Sequence, residues 1–295
     1  MKTLLLLPLL LFSQPDSNYR IAVDVNLILL NATVRNEAGN LIPDLTEGDF
    51  KIFEDGIPQT IRLFLREDVP VTVGLVVDHS GSMGRKIESV LAAARAFIRF
   101  SNPSDLMFVV NFNEHVFFGL PKSKSFTNKS ALLENAILTT PITGMTALYD
   151  AIDAALEHAK TASLDRAILL VVSDGADNAS KLTLDELKTK AAQSSTMIYT
   201  LGIFAPADPD RNPGPLRELA ASAGGEAHFP KDLTQLDPLA ERIAREIRNQ
   251  YTIGYISSQP IVPGARHKIR VVATSQSMGK LNTRARSSYT VGKPK

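Results

Sequence analysis

Apolar residues between positions 71 and 250 follow two alternating patterns. Short unbroken runs, such as the one from Val71 up to Asp78, are typical of strands buried on both faces of a parallel sheet. Between these runs, apolar residues recur at the spacing of a helix with one buried stripe. The predicted strands are 71–77, 106–112, 116–120, 167–173 and 197–203, and the predicted helices are 87–98, 148–159, 184–194, 215–223 and 238–247. This alternation predicts an α/β fold with a doubly wound, mostly parallel sheet.

The two ends of the chain have strand patterns instead. Alternation at 21–29 and short stretches at 50–53 and 60–65 indicate three strands, with a hairpin signal at Asp55-Gly56. Residues 251–255, 268–273 and 289–291 indicate three more strands after the α/β segment. Neither set is large enough to bury an apolar face alone. We therefore expect the two ends to form one small β-sandwich, with the α/β domain inserted between its halves.

Residues 1–13 (MKTLLLLPLLLFS) have the pattern of a secretory signal. Lys2 supplies the positive charge, and an apolar run extends from Leu4 to Phe12. This run is too short to span a bilayer as a helix, and no other run approaches that length. We expect cleavage near Ser13 or Gln14 and export to the periplasm, the cell envelope or the exterior. The other interpretation is a trimmed or misassigned start.

Composition narrows the function classes. The chain has 32 Lys and Arg against 31 Asp and Glu, a formal net charge of +1. No basic surplus exists to neutralise phosphates, so nucleic acid is not an expected partner. There is no cysteine, which excludes disulfides, thiolate metal sites and a cysteine nucleophile.

Oxygen-bearing side chains gather at the ends of two predicted buried strands. Asp78, Ser80 and Ser82, spaced two apart, close the first run, VTVGLVVDHSGSM. Asp174 ends a second run, ILLVVSD, and Thr146 lies between them in TGMTALYDA. Carboxylates and hydroxyls are hard ligands that suit Mg²⁺ or Ca²⁺ and not zinc or copper. In doubly wound sheets, ligands bind at the carboxyl ends of strands where the strand order reverses.

The order Asp78-x-Ser80-x-Ser82, then Thr146, then Asp174 resembles the metal-ion-dependent adhesion site of von Willebrand factor type A domains. The resemblance covers residues 68–250. The flanks, with LTEGDFKIFEDG before and an Arg-rich, Tyr-ended strand after, resemble bacterial secreted proteins related to this family. The predicted divisions are a signal peptide at 1–13, half a sandwich at 18–67, the type A domain at 68–250, and the completing strands at 251–292.

The resemblance also implies a mechanism. It places the first strand of the α/β domain beside the fourth, so that Asp78 and Asp174 meet. It implies that the three hydroxyls bind Mg²⁺ (or Mn²⁺ or Ca²⁺) directly or nearly so, while the two carboxylates act largely through bound water. Hydroxyls neutralise a divalent ion poorly, and one coordination position is expected to stay open to water or to an incoming carboxylate. An Asp or Glu of a protein partner is therefore the expected ligand at that position. The expected function is a non-enzymatic, adhesion-type interaction module.

Several other residues have competing interpretations. Asp177 and Asn178 are predicted to be turn residues, with direct metal ligation as the alternative, and His79 is expected to point to solvent beside the metal. The set Asp208, Asp210, Asn212 and Gly214 mimics a calcium loop. Its glycine comes one place late and Leu219 stands at position twelve, which favours a solvated turn.

Two rival functions remain open. Ser82, Asp174 and His228 occur in the order of an α/β-hydrolase triad, although Ser82 lacks the flanking glycines of a nucleophile elbow. The other rival is a structural module in which the metal only staples loops together.

Overall fold

The computed structural model describes residues 27–66, 68–204, 212–260 and 262–291. In this part of the chain the strands are β1 Leu27–Arg35, β2 Phe50–Glu54, β3 Ile57–Gln59, β4 Ile61–Leu65, β5 Thr72–Asp78, β6 Leu106–Phe112, β7 Val116–Phe118, β8 Ala167–Ser173, β9 Met197–Gly202, β10 Ala227–His228, β11 Tyr251–Ile256, β12 Arg266–Ser275, β13 Gly279–Lys280, β14 Asn282–Arg284 and β15 Ser288–Thr290. The helices are α1 Ile87–Phe100, α2 Ser130–Ile137, α3 Leu148–Ala159, α4 Leu184–Gln193, α5 Pro213–Ser222 and α6 Leu236–Arg248.

The central sheet has six strands in the order β10-β9-β8-β5-β6-β7. All pairings are parallel except that of β7, which returns antiparallel from β6 through the predicted turn at Asn113-Glu114. Every residue of β5 is buried, because β5 lies between β6 and β8 with both faces covered. The chain leaves β5 toward β6 on one side and later returns as β8 on the other, so the strand order reverses at β5.

Helices pack on this sheet in two connected groups. α1 packs against α6 and α2, while α3 packs against α4, which in turn contacts α5. The apolar stripes that predicted five of these helices are buried, as in α1, where Val90, Leu91, Ala94 and Phe97 face the core. The doubly wound, mostly parallel α/β fold is thus confirmed. Helix α2 and the short strands β3, β10, β13 and β14 were not predicted from the sequence. No helix in the described residues is long and apolar enough to cross a membrane.

Strands from the two ends of the chain share two antiparallel sheets, ordered β14-β1-β11-β4 and β13-β12-β2-β3, with β15 paired to β12. β1 pairs with β11 and β14, and β2 pairs with β12, so each sheet draws strands from both ends. Their inner faces form a second apolar core, in which Phe50 and Tyr251 rings lie 4.9 Å apart. The predicted β-sandwich around an inserted α/β domain is therefore confirmed. Residues 21–26 of the first predicted strand lie outside the described residues.

The hairpin at Asp55-Gly56 differs in one respect from the prediction. Both residues have positive φ, 49° and 86°, as a two-residue hairpin turn requires. The strand that returns is β3, not 60–65 as expected from the sequence. The segment 61–65 instead becomes β4 in the opposite sheet, because the chain changes sheets at Thr60.

A buried carboxylate joins the sandwich to the α/β domain. Glu246 of α6 is 1% exposed and accepts hydrogen bonds from Tyr199 Oη of β9 at 2.8 Å and Thr33 Oγ1 of β1 at 3.3 Å. Arg35 of β1 and Arg284 of β14 both form ion pairs with it. Two guanidinium groups and two hydroxyls thus satisfy one buried charge, as a buried carboxylate requires.

Candidate metal centre

The carboxyl ends of β5 and β8 lie side by side, as the family resemblance implied. The two strands are parallel neighbours through the pair Val77↔Val172, and Asp78 and Asp174 follow within two residues of that pair. Both side chains are almost fully buried. Two carboxylates from positions 96 residues apart therefore meet at the point where the strand order reverses, the expected ligand position in such sheets.

Asp78 is held by hydrogen bonds to both carboxylate oxygens. The backbone N–H of Ser80 donates to Oδ1 at 2.8 Å, and Ser173 Oγ donates to Oδ2 at 2.6 Å. Burial raises the pKa of Asp78 from its ordinary 3.8 to about 6; the two hydrogen bonds oppose this shift, and the charge of Asp174 adds to it. A nearby cation would stabilise the Asp78 carboxylate, because a positive charge favours the ionised form.

The hydroxyls of Ser80 and Ser82 lie on the turn that follows Asp78. Residues Gly81–Met83 form one turn of 3-10 helix, which brings the two Oγ atoms to 3.1 Å from each other. They open onto a cleft of about 450 Å³. Thr146 and Asp174 line the same cleft, so four of the five predicted ligands share one cavity, with Asp78 directly behind Ser80.

The loop that carries Thr146 is fastened on both sides. The N–H of Gly81 donates to Gly144 O at 3.2 Å, which joins the loop to the serine turn. On the other side, Thr146 N–H donates to Asn178 Oδ1 at 2.8 Å and Asn178 N–H donates to Thr146 O at 3.0 Å. Gly144 has φ of +80°, a backbone conformation that L side chains rarely adopt, so this turn favours glycine.

Asp174 uses its two oxygens differently. Oδ2 accepts a hydrogen bond from Lys86 Nζ at 3.3 Å, while Oδ1 is buried without a hydrogen-bond partner in the described part of the chain. A buried carboxylate oxygen without a partner is costly. The lack of a partner for Oδ1 therefore favours the binding of a cation or an ordered water in this cleft. The donor set of hydroxyls and carboxylates fits Mg²⁺, Mn²⁺ or Ca²⁺.

His79 contradicts the expectation that it points to solvent. Its side chain is 1% exposed, and its ring nitrogens lie 3.1 Å from Val77 O and 2.8 Å from Ile137 O. Burial lowers the pKa of the imidazole, although both carbonyl contacts oppose that shift. The ring fixes the β5 turn to the end of α2, an element that sequence analysis missed.

The remaining candidates take supporting positions. Asp177 Oδ1 accepts hydrogen bonds from Tyr149 N–H at 3.3 Å and Ser180 Oγ at 2.6 Å, as a turn residue does. Asn178 holds the Thr146 backbone through its side-chain oxygen. Of the calcium-loop mimic, Asp208 and Asp210 lie outside the described residues. Groups of three or more His, Cys, Asp or Glu arranged to hold a metal do not occur in the described ranges.

The hydrolase arrangement is absent from the described geometry. His228 Nδ1 lies 3.2 Å from Arg242, and His228 lines a different pocket from the cleft that holds Ser82 and Asp174. The Ser82 hydroxyl contacts Ser80 instead. A serine without an adjacent base is not an activated nucleophile.

The sequence profile of the von Willebrand factor type A domain matches residues 72–242. This match spans more than half of the chain and coincides with the α/β domain that bears the cleft. The chain belongs to the von Willebrand factor type A family. No curated protein sequence gives a significant match to it.

Solved structures with the same fold include three whose TM-scores exceed 0.5. A von Willebrand factor type A protein from Catenulispora acidiphila has TM-score 0.54 and 15% identity, covering 82% of this chain and 72% of its own. Proximal thread matrix protein 1 from the mussel byssus, with a zinc-occupied MIDAS motif, has TM-score 0.53 and 14% identity, covering 67% and 50%. A mutant of the PilB minor pilin from Streptococcus sanguinis has TM-score 0.51 and 11% identity, covering 63% of each chain. At these identities the likeness shows the fold alone.

Sequence reasoning missed two residues beside the cleft. Ser173 closes β8 and both donates to Asp78 and accepts from Gly175 N–H at 3.0 Å. Its signal was a polar residue at the end of an otherwise apolar run. Lys86, directly before the amphipathic helix α1, is only 7% exposed. Its burial depends on Asp174, which is distant in sequence.

Proposed function

We propose that this type A domain is a non-enzymatic protein-interaction module that binds an acidic group of a protein partner through a divalent ion, with Mg²⁺ as the expected metal. The five residues that would hold the ion are Asp78, Ser80, Ser82, Thr146 and Asp174. The observation that carries the proposal is the buried, unpartnered Oδ1 of Asp174 in a cleft that also contains the three hydroxyls.

The donor set explains why the partner group should be a carboxylate. A bound divalent ion supplies Lewis acidity and an open coordination position. The hydroxyls add no negative charge, and both oxygens of Asp78 are already engaged by protein hydrogen bonds. The positive charge is thus only partly neutralised by this chain. A partner Asp or Glu would complete the neutralisation. Among the described residues that line the cleft, the hydroxyls of Ser80, Ser82 and Thr146 are not hydrogen-bonded to a base.

Export from the cytoplasm remains part of this proposal. It rests on the signal-like pattern of residues 1–13, which lie outside the described residues. The proposed divisions at 18–67, 68–250 and 251–292 follow the change from sandwich to α/β elements, since β4 ends at Leu65 and β11 begins at Tyr251.

Titration calorimetry of the full chain with Mg²⁺, Mn²⁺, Ca²⁺ and Zn²⁺ tests the metal. Zn²⁺ is included because the mussel protein's MIDAS is described as zinc-occupied. We expect one site that Asp174→Ala and Thr146→Ala abolish. Ser222→Ala is the matched control, because its hydroxyl bonds only Leu219 O within α5. Equal binding by the wild type and Asp174→Ala would show that the site is misassigned.

Capture of partners from the native envelope fraction tests the interaction. Wild-type bait in Mg²⁺ is compared with wild-type bait in EDTA and with Ser82→Ala bait in Mg²⁺. We expect both changes to release the partner without altering the circular dichroism spectrum. Loss of an electrostatic contact of this kind costs several kcal/mol, on the order of a thousandfold in affinity. Undiminished capture in EDTA, with metal removal confirmed, would overturn metal-dependent partner binding. The metal would then have only the structural role of holding the loops together.

A further inference from the structure

Lys86 is a buried cation in contact with one of the proposed metal ligands, Asp174. It directly precedes α1, at the N-cap position, four residues after Ser82. Its Nζ lies 3.3 Å from Asp174 Oδ2 and donates to Ile203 O at 3.0 Å. The ammonium therefore connects the serine turn to the ends of β8 and β9, on the opposite oxygen of Asp174 from the unpartnered one.

Burying an ion pair such as Lys86–Asp174 costs free energy. A protein in which apolar residues of similar volume replace such a pair is often equally stable or more stable. The presence of Lys86 is explained if it balances charge while the metal is absent. Asp78 and Asp174 are two carboxylates at adjacent strand ends, both at most 2% exposed. Without a cation they would repel each other in a medium of low effective dielectric. Lys86 supplies that cation from within the chain.

We propose that Lys86 is an internal counter-cation of the metal cleft: it neutralises Asp174 in the metal-free protein and, by its own charge, weakens divalent-ion binding. The inference rests on the proposed metal function. The positive charge of Lys86 also affects which partner group the loaded cleft would bind. The ammonium of Lys86 adds positive charge beside the loaded cleft, which favours a carboxylate from a partner.

A purely structural staple would behave differently from a counter-cation. If Lys86 only fixed Asp174 and the end of β9, removing it would loosen the donor set and weaken metal binding. If Lys86 acts as a counter-cation, removing its charge destabilises the metal-free protein and strengthens metal binding. The two roles therefore predict opposite signs for the change in metal affinity.

The test measures the Mn²⁺ affinity of the full-chain wild type and of Lys86 variants. The affinity is obtained by calorimetry and from the electron paramagnetic resonance signal of free Mn²⁺. Lys86→Met removes the charge and keeps an unbranched side chain that is one atom shorter. Lys86→Gln removes the charge and keeps a donor for Ile203 O. We expect both neutral variants to bind Mn²⁺ tighter by on the order of tenfold. Both should also melt at a lower temperature than the wild type in EDTA and show a larger rise in Tm on adding Mn²⁺.

Two controls separate charge from position. Lys86→Arg keeps the charge and should retain the wild-type affinity within about threefold, since it preserves the like-charge repulsion. Arg85→Met removes the adjacent charge, but Arg85 is exposed. Solvent screening should then limit its effect to about twofold or less.

The outcomes are distinguishable from those of the proposed function. Wild-type binding with equal or weaker binding by both neutral variants overturns the role of Lys86 and leaves the proposed function standing. Binding by neither wild type nor neutral variants overturns both proposals. Tighter binding by the neutral variants, including the case in which they alone bind, supports the counter-cation.

Discussion

Replacing Asp78 with asparagine should make the metal-free protein more stable at neutral pH while removing its metal binding. The pKa of Asp78 is about 6 in the folded protein and 3.8 ordinarily, because its carboxylate is buried. Below about pH 3 the group is protonated in both states, and its burial costs nothing. As the pH rises through about 6, the folded state must release a proton that it holds more tightly than the unfolded state does. Stability is therefore lost with rising pH.

The magnitude follows from the size of the shift. A difference of roughly two pH units between unfolded and folded states corresponds to about 3 kcal/mol at pH 7.5. Asparagine keeps the oxygen that accepts from Ser80 N–H and has no charge to bury. The Ser173 hydroxyl can turn to accept from the new amide. Asp78→Asn should therefore recover most of this energy in EDTA.

Urea unfolding in EDTA, at several pH values between 4 and 8, measures the free energy of unfolding of both proteins. The advantage of Asp78→Asn should grow from near zero at pH 4 to about 2–3 kcal/mol at pH 7.5. Asp185→Asn, whose side chain is 91% exposed, should differ from the wild type by less than about 0.5 kcal/mol throughout. Mg²⁺ at a thousandfold excess over its Kd should then reverse the order, since it adds about 4.1 kcal/mol to the wild type alone.

A constant difference between wild type and Asp78→Asn across this pH range would refute the reasoning. A variant that is less stable than the wild type at pH 7.5 in EDTA would do the same. Either result would mean that the hydrogen bonds from Ser80 and Ser173 already compensate the burial of the charge.

Two further predictions concern the joint and the division of the chain. Glu246→Gln should lower the free energy of unfolding by about 3 kcal/mol, because Arg35 and Arg284 lose a buried anionic partner. Glu241→Gln, which breaks the more exposed pair with Arg245, should cost under about 1 kcal/mol in the same urea assay. Residues 68–250 should fold alone and bind Mg²⁺, whereas residues 18–67 should give the poorly dispersed NMR spectrum of an unfolded chain. A dispersed spectrum from 18–67 would contradict the shared sandwich.

The sequence predicted β5 and β8 well because burial on both faces leaves an apolar run, and a polar ligand ends it sharply. The same reasoning could not see α2, which spans eight residues and buries three of them. Leu132 within α2 and Leu138 directly after it are exposed apolar residues that blur the stripe. The error at His79 follows from this omission, because the ring is buried against Ile137 O at the end of α2. Lys86 was missed for a different reason: its environment is created by Asp174 and Ile203, two strand ends distant in sequence.

The two ends of the α/β domain have separate tasks, and the topology explains why. Both connections to the sandwich enter at the amino ends of the strands: β5 begins seven residues after β4 ends, and α6 ends three residues before β11 begins. Two contacts hold the incoming and outgoing connections next to each other. They are the ion pair between Arg248 and Asp68 at 2.6 Å and the hydrogen bond from Arg166 to Gln250 at 2.9 Å. Asp78 closes β5 at the other end, roughly 20 Å away at the rise of a strand. A parallel sheet places all its carboxyl ends together, so joining the sandwich at the amino ends leaves the cleft open to a partner.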